Sequence, residues 1–268
     1  MNKEPSRDMQ SDLETLYSKY QLLPVLRNQF GEFLTENNLN GDDFEMHKDM
    51  LSQIYLHRQA DVVTMVGILS PKHGTPQEVA DKLLLAAEYD LIDYDEMTEK
   101  FIVKYEVSDD IVAMLERYQY PLPMIVKPNL VLKNNDTGYE TIKNSIVLNG
   151  SPYFKNKDMC LDHINRANSV ALELDFETIV SAEGKFKQPK RKPEESFEDH
   201  KKRVRQATIF FGSSLEAMEG LSEITDKIYM THRYDRRGRC YASGYHVNTQ
   251  GTDYNKAVLG LAKKELIK

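Results

Sequence analysis

Apolar residues recur three and four positions apart through Leu51, Ile54, Tyr55, Val62, Met65, Val66 and Leu69, the spacing of one helix face. The pattern predicts an amphipathic helix over 43–69 that ends before Ser70-Pro71. Thr75-Pro76-Gln77-Glu78 opens a second helix to about Tyr89, with a capping hydroxyl, a proline suited to the first turn and a glutamate that reaches back to the cap. Phe101, Val103, Tyr105 and Val107 alternate as a strand does, and Ser108 caps a short helix to Tyr118. Pro121, Pro123 and Pro128 keep 121–132 extended, and Asn149-Gly150 predicts a turn. Leu161, Ile164, Ala171, Leu172, Phe176 and Ile179 then mark one long helix over 158–181. Ser196 with Asp199 starts another, which Val204, Ile209, Phe210 and Leu215 carry towards Gly220. Two strands, 228–234 and 239–245, flank the tight turn Asp235-Arg236-Arg237-Gly238. After a turn and cap at Asn248–Asp253, Val258, Leu259, Ala262 and Leu266 predict a last helix.

These elements predict an α+β fold, mainly helical. At 268 residues, with 40% hydrophobic and 29% charged, the chain can bury one or two cores and is neither disordered nor fibrous. The longest apolar runs fall far short of the ~20 residues that a bilayer helix needs. Met1–Gln10 is polar with both charge signs, unlike a signal or transit peptide, so a cytoplasmic location is expected. Cys160 and Cys240 lie 80 positions apart, which predicts small core residues and neither a disulfide framework nor a zinc site. His47 and His57 are ten apart on the predicted helix, the wrong spacing for shared metal ligation.

Charge divides the chain. Residues 1–117 hold 11 Lys+Arg against 23 Asp+Glu, a net of −12, whereas the remaining 24 and 19 give +5. The second half is therefore expected to face a polyanion and the first protein or solvent. The acidic balance speaks against a winged-helix DNA reader there, since phosphate contacts need Lys and Arg. The basic residues cluster in the loop 183–195, with Lys185, Lys187, Lys190, Arg191 and Lys192, and along the next helix, with Lys201, Lys202, Arg203 and Arg205. If 158–181 and 196–219 pack antiparallel, these nine cations share one tip, which fits a grip on nucleic-acid backbone or a solubilising loop. On the hairpin, period two puts Arg239, Tyr241, Ser243 and Tyr245 on one face, offering a guanidinium, a hydroxyl and stacking rings. A bland surface hairpin stays open beside that reading. Asp235 is expected to fix the turn and Gly238 to supply its backbone angle.

Three stretches, Tyr234-Asp235-Arg236-Arg237-Gly238-Arg239-Cys240-Tyr241-Ala242, Asn248-Thr249-Gln250-Gly251-Thr252-Asp253 and Lys256-Ala257-Val258-Leu259-Gly260-Leu261-Ala262-Lys263, resemble the single-subunit phage and mitochondrial DNA-directed RNA polymerases. The first looks like that family's Asp-x-x-Gly-Arg motif. Upstream, Pro121-Leu122-Pro123-Met124-Ile125-Val126-Lys127-Pro128 is similar to its Pro-Met-Val-Pro-Pro segment, with Lys127 standing where the family has proline, and Ile164-Asn165-Arg166-Ala167-Asn168 to part of its thumb. The resemblance spans roughly 120–268 and leaves 1–117 uncovered. Together with the charge division it gives four expected regions: an acidic helical N-terminal domain at 1–118, which charge and helical spacing alone suggest, an extended connection at 119–157, a thumb-like helical hairpin at 158–225 with its basic loop, and the beginning of a palm at 226–268.

The resemblance also implies a nucleic-acid-binding set. Asp235, Gly238 and Arg239 match the motif, Arg237 lies within it, Tyr241 and Ser243 follow on the same strand, and Lys256 matches a lysine of the next helix. Lys190, Arg191 and Lys192 would sit at the thumb tip. Nucleotidyl transfer in the family uses Mg2+ held by carboxylates that lie, like the fingers, downstream of the motif. None is recognised in this chain, and Asp235 and Asp253 suit turn and cap roles. The expectation is thus a non-catalytic subunit of a heterodimeric polymerase that binds template DNA and RNA–DNA hybrid, while a partner chain supplies palm, fingers and bound Mg2+. A phage DNA-binding recruitment protein is a further expected partner, no membrane is, and the setting implied is the cytoplasm of an infected bacterial host. A nucleic-acid-binding regulator derived from the same fold and a scaffold protein are the alternatives. The initial Met without a tag suits a natural short reading frame as well as a fragment.

Overall fold

The computed structural model describes residues 4–39, 41–148, 158–183 and 186–263. The fold is mixed α+β and mainly helical, with small antiparallel sheets. The chain divides into two compact units, Lys19–Leu115, and Met1–Ser18 together with Glu116–Lys268. The boundary expected at 118 falls close to the second of these divisions, but the first eighteen residues belong with the C-terminal half. Among the described residues, no helix is long and apolar enough to cross a membrane. The turn predicted at Asn149-Gly150 lies outside the described residues.

Helix α1 (Arg7–Leu16) starts at Ser6, whose hydroxyl accepts from the Met9 N–H. Its Glu14 is 3% exposed. The carboxylate accepts from the backbone N–H of Glu140 at 2.9 Å, of Thr141 at 2.6 Å and of Ile142 at 3.3 Å, and from the Thr141 hydroxyl at 2.8 Å. Gln10 donates to Glu14 at 2.9 Å and accepts from the Ile125 N–H at 2.8 Å. Polar bonds between buried groups thus explain why α1 joins the larger unit.

The smaller unit contains α2 (Leu23–Glu36), α3 (Phe44–His57), β1 (Ala60–Asp61), α4 (Val62–His73), α5 (Pro76–Glu88), β2 (Asp93–Asp95) and β3 (Lys100–Ile102). Leu26, Phe30, Leu34, Met50, Leu51, Ile54, Met65, Leu83 and Phe101 are sealed in its interior. The predicted helix over 43–69 is two helices. Arg58, at φ +65°, ends α3, Ala60 pairs with Phe101, and Asp61 caps α4 through the Thr64 N–H at 2.7 Å. No Gly, Pro or Asn marks that break in the sequence. Helix α4 also runs past Ser70, because Pro71 sits in its last turn, where the missing N–H costs one bond. The capping box of Thr75 and Glu78 forms as expected. The strand expected over 101–107 shortens to β3, whose partners β1 and β2 are themselves two and three residues long.

Helix α6 (Asp109–Tyr118) leads into the larger unit, which continues with α7 (Leu161–Asn168), β4 (Ala171–Leu174), α8 (Phe176–Glu183), α9 (Phe197–Ile224), β5 (Ile228–Tyr229), β6 (Thr231–Tyr234), β7 (Cys240–Ser243), α10 (Asp253–Ala257) and β8 (Leu259–Leu261). The long helix predicted over 158–181 is α7, β4 and α8, so the first arm of the expected helical hairpin is broken. Strand β4 is the centre of the sheet β5-β4-β8, and Asp175 restarts the helix by accepting from the Thr178 N–H at 3.0 Å. Helix α9 forms where expected, with Ser196 accepting from the Asp199 N–H at 3.0 Å. The last predicted helix stops at Ala257, and Leu259–Leu261 pair antiparallel with β4. A cross-strand partner outweighs helical spacing here.

The core of this unit gathers Leu172, Ile179, Met218, Leu221, Ile228, Met230, Ala242, Val247 and Val258, with Met9 and Leu13 of α1 against it. His246, 2% exposed, accepts from the Ser214 hydroxyl at Nδ1 over 3.1 Å and donates from Nε2 to the Arg117 carbonyl, also over 3.1 Å. Burial lowers its pKa by more than the Arg117 bond raises it.

Two outcomes follow. Glu14→Gln leaves an amide donor facing backbone donors and should destabilise the larger unit by about 2 to 3 kcal/mol in urea titrations. Unfolded His246 takes up a proton near pH ~6.5 while the folded side chain resists until lower pH. Its contribution is therefore complete above that value and lost as pH falls towards the native one; urea midpoints should drop on acidification from about pH 7 to about pH 5, and less steeply in His246→Asn.

Candidate nucleic-acid interface

Strands β6 and β7 pair antiparallel, with Thr231 opposite Ser243, Arg233 opposite Tyr241 and Tyr234 opposite Cys240. Opposed residues share a face. Tyr234 and Ala242 turn to the interior, where the Tyr234 hydroxyl donates to the Cys160 carbonyl at 3.0 Å. Thr231, Arg233, Tyr241 and Ser243 form the opposite face. Cys160 is exposed and Cys240 half-buried, so neither is the sealed core residue expected.

The turn is built around one carboxylate. Asp235 Oδ1 accepts from the backbone N–H groups of Arg237 and Arg239 at 2.9 Å each, and Oδ2 accepts from Arg239 Nε at 2.6 Å. The Tyr241 hydroxyl lies 3.4 Å and Arg237 Nε 3.6 Å from the same oxygen. Desolvation pushes the Asp235 pKa up, but the backbone and guanidinium bonds of Arg239 and the Arg237 N–H together outweigh it and hold the value at about 2. Gly238 closes the turn at φ +80° and donates to the Asp235 carbonyl at 3.0 Å. A side chain there would be strained.

The arginines remain open to ligand. Arg239 lies over the Tyr241 ring, 5.4 Å from its centroid, with its side chain about half exposed. Only Nε is spent on Asp235, which leaves the terminal nitrogens to reach a phosphate. Arg236 and Arg237 are exposed beside it. The Asn248–Asp253 segment braces the hairpin: Gln250 accepts from the Ala242 N–H at 2.9 Å and donates to the Cys240 carbonyl at 3.0 Å, extending the edge of β7.

The fold thus joins Asp235, Arg237, Gly238, Arg239 and Tyr241 in one corner, with Ser243 further along β7. Lys256 is exposed on α10, 3.6 Å from Asp253, and shares none of these bonds. Lys190, Arg191 and Lys192 lie exposed before α9, and Lys185 lies outside the described residues. Their loop is tied to α9 by Glu195, which accepts from Arg203 Nε and Nη2 at 2.7 Å each and from the Lys192 N–H at 3.0 Å. The Arg203 bonds draw the Glu195 pKa down to about 2, against desolvation. One of the nine expected cations, Arg203, is therefore spent on an internal pair. Sequence reasoning missed Arg233 and Thr231, which the strand register could have placed opposite Tyr241 and Ser243.

A two-metal centre needs clustered carboxylates. Among the described residues no three His, Cys, Asp or Glu side chains come together to hold a metal ion. Asp235 is filled by internal donors, and Asp253 is exposed in the first turn of α10, after its Thr252 cap. These residues do not fit that centre.

Gly238→Ala should destabilise the hairpin by about 1 kcal/mol through its left-handed backbone. Amide exchange at Arg237 and Arg239 should speed up with it; unchanged exchange would mean that the turn does not need glycine.

No family model and no curated protein matches the chain.

Proposed function

We propose that this chain is a non-catalytic subunit of a phage-type DNA-directed RNA polymerase, gripping template DNA and RNA–DNA hybrid while a second polypeptide supplies palm, fingers and the carboxylates for Mg2+. The observation that carries the reading is the Arg239 guanidinium, fixed by Asp235 and Tyr241 with its terminal nitrogens unspent. An arginine fixed in this way meets a phosphate with little further loss of side-chain freedom. Arg236 and Arg237 beside it and Lys190, Arg191 and Lys192 before α9 add sequence-independent attraction. In this reading 158–225 acts as the thumb, with α9 as its continuous helix, and 226–263 as the start of the palm. The acidic unit at 19–115 suits docking of protein better than of nucleic acid, and a phage DNA-binding recruitment protein is a further partner of the assembly in the cytoplasm of the infected host.

Fluorescence anisotropy with a labelled RNA–DNA hybrid tests the grip. Binding should weaken as salt rises, and Arg239→Ala should weaken it and reduce the salt slope by about one unit. In transcription assays with Mg2+ and nucleoside triphosphates, the chain alone should make no RNA, and the reconstituted pair should lose synthesis with Arg239→Ala while still assembling. RNA synthesis by the purified chain alone, or hybrid binding indifferent to Arg239, would overturn the proposal.

A further inference from the structure

A cavity of about 320 Å3 opens on the outward face of the hairpin, between Thr231, Arg233, Tyr241 and Ser243 on one side and Tyr139 and Asn144 on the other. Its polar groups have bonding capacity to spare. The Thr231 hydroxyl, on a residue 3% exposed, and the Ser243 hydroxyl are both shielded from solvent and have no hydrogen-bond partner among the described residues. A buried hydroxyl left this way is destabilising, a cost that a ligand oxygen would remove. Arg233 donates from Nε to the Ser145 carbonyl at 2.9 Å and approaches the Val147 carbonyl at 3.5 Å. Among the described residues no carboxylate pairs with it, and its other donors are unspent. Burial lowers the Arg233 pKa, but a guanidinium stays charged at neutral pH.

Tyrosine rings make up part of the remaining lining, beside aliphatic residues such as Ile146 and Leu148. Burial pushes the Tyr139 phenol up to about 12, so it stays a neutral donor, reaching the Ser243 carbonyl at 3.4 Å. The nearby Thr231 hydroxyl tempers that rise without reaching hydrogen-bonding geometry. Rings of Tyr139 and Tyr241 beside an unpaired guanidinium and two free hydroxyls suit an anion that carries a flat ring. The volume stands at the small end of ligand cavities, roughly 300 to 1,000 Å3, too small for a base pair with its backbones.

We propose that this cavity takes one nucleoside phosphate, with the phosphate on Arg233, the Thr231 and Ser243 hydroxyls bonding phosphate or sugar oxygens, and the base against the tyrosine rings. The choice of a nucleotide among ring-bearing anions rests on the nucleic-acid reading above. Two sources offer this chemistry: a free nucleotide, or one unit of a single strand.

Isothermal titration of the full chain with AMP, adenosine and inorganic phosphate tests it, alongside Arg233→Gln and Thr231→Val. AMP should bind at least about tenfold more tightly than adenosine or phosphate, a difference of about 1.4 kcal/mol. Arg233→Gln should weaken AMP by about tenfold and Thr231→Val by about threefold. Because Arg233 also clamps 145–147, Thr231→Val, which removes a hydroxyl without a partner, is the variant expected to keep the fold, checked by its thermal melt. Displacement of AMP by a short single-stranded oligodeoxyadenylate assigns the site to a strand, and AMP binding indifferent to the oligomer assigns it to free nucleotide. AMP no tighter than inorganic phosphate, or indifferent to both variants, overturns the inference. Hybrid binding that depends on Arg239 without any AMP binding would sink the cavity alone, whereas AMP binding without Arg239-dependent hybrid binding would sink the proposed function alone.

Discussion

A carboxylate withdrawn from water must be met by donors, and Glu14 meets that demand with three backbone N–H groups and a hydroxyl from residues 140–142. Removing one partner from such an arrangement leaves an uncompensated buried charge. The bonds fix 140–142 from one side, while from the other Gly138 lies so close to β6 that an added Cβ would stand 3.0 Å from Thr231 and 2.9 Å from Pro128. Tyr139 is held between these two restraints, and Tyr139 is a wall of the hairpin cavity. A buried charge near the N-terminus thus sets the geometry of a surface formed more than a hundred residues later.

The hairpin separates the residues that shape it from those left free to act. Asp235 has the residue type of a catalytic acid and the bonding of a turn: its oxygens are engaged by Arg237, Arg239 and Tyr241. Three of its donors come from arginine backbone or side chain, so it costs the corner one positive charge and fixes the direction of the rest. Gln250 and Asn248 do the same for the edge of β7, replacing a missing strand with side-chain amides. Most of the motif is therefore scaffold, and the groups left outward are the arginine termini.

What could be read from the sequence followed local chemistry. Capping at Thr75 and Ser196 was legible because a hydroxyl three residues before a backbone N–H needs no tertiary partner, whereas the cap of α10 was placed only within 248–253 and falls to Thr252. The hairpin and its glycine were legible for the same reason. The breaks at Arg58, at Ala171 and after Ala257 were not, because each exists to satisfy a strand far away in the chain: Ala60 with Phe101, Leu172 with Ile228 and Leu261. Apolar spacing over 158–181 fits a helix and is equally served by helix, strand and helix once β4 has neighbours on both edges. Asp175 was the overlooked local sign, a capping residue in the middle of a predicted helix. At the site, period two correctly put Tyr241 with Ser243, but the residues across from them depended on register.

Two arginines on either side of one turn show how one charge can be kept ready in different ways. Arg239 is half exposed and already paired at Nε, so water screens it and Asp235 offsets part of its field; its value lies in direction. Arg233 has no carboxylate among the described residues and sits beside shielded hydroxyls, where lower polarity strengthens any bond it makes. The exposed group suits a contact that must form and release along a polymer, and the sheltered one a contact to a single small anion. Strand register alone separates them: one more residue between Arg233 and the turn would have sent its side chain to the core face with Tyr234.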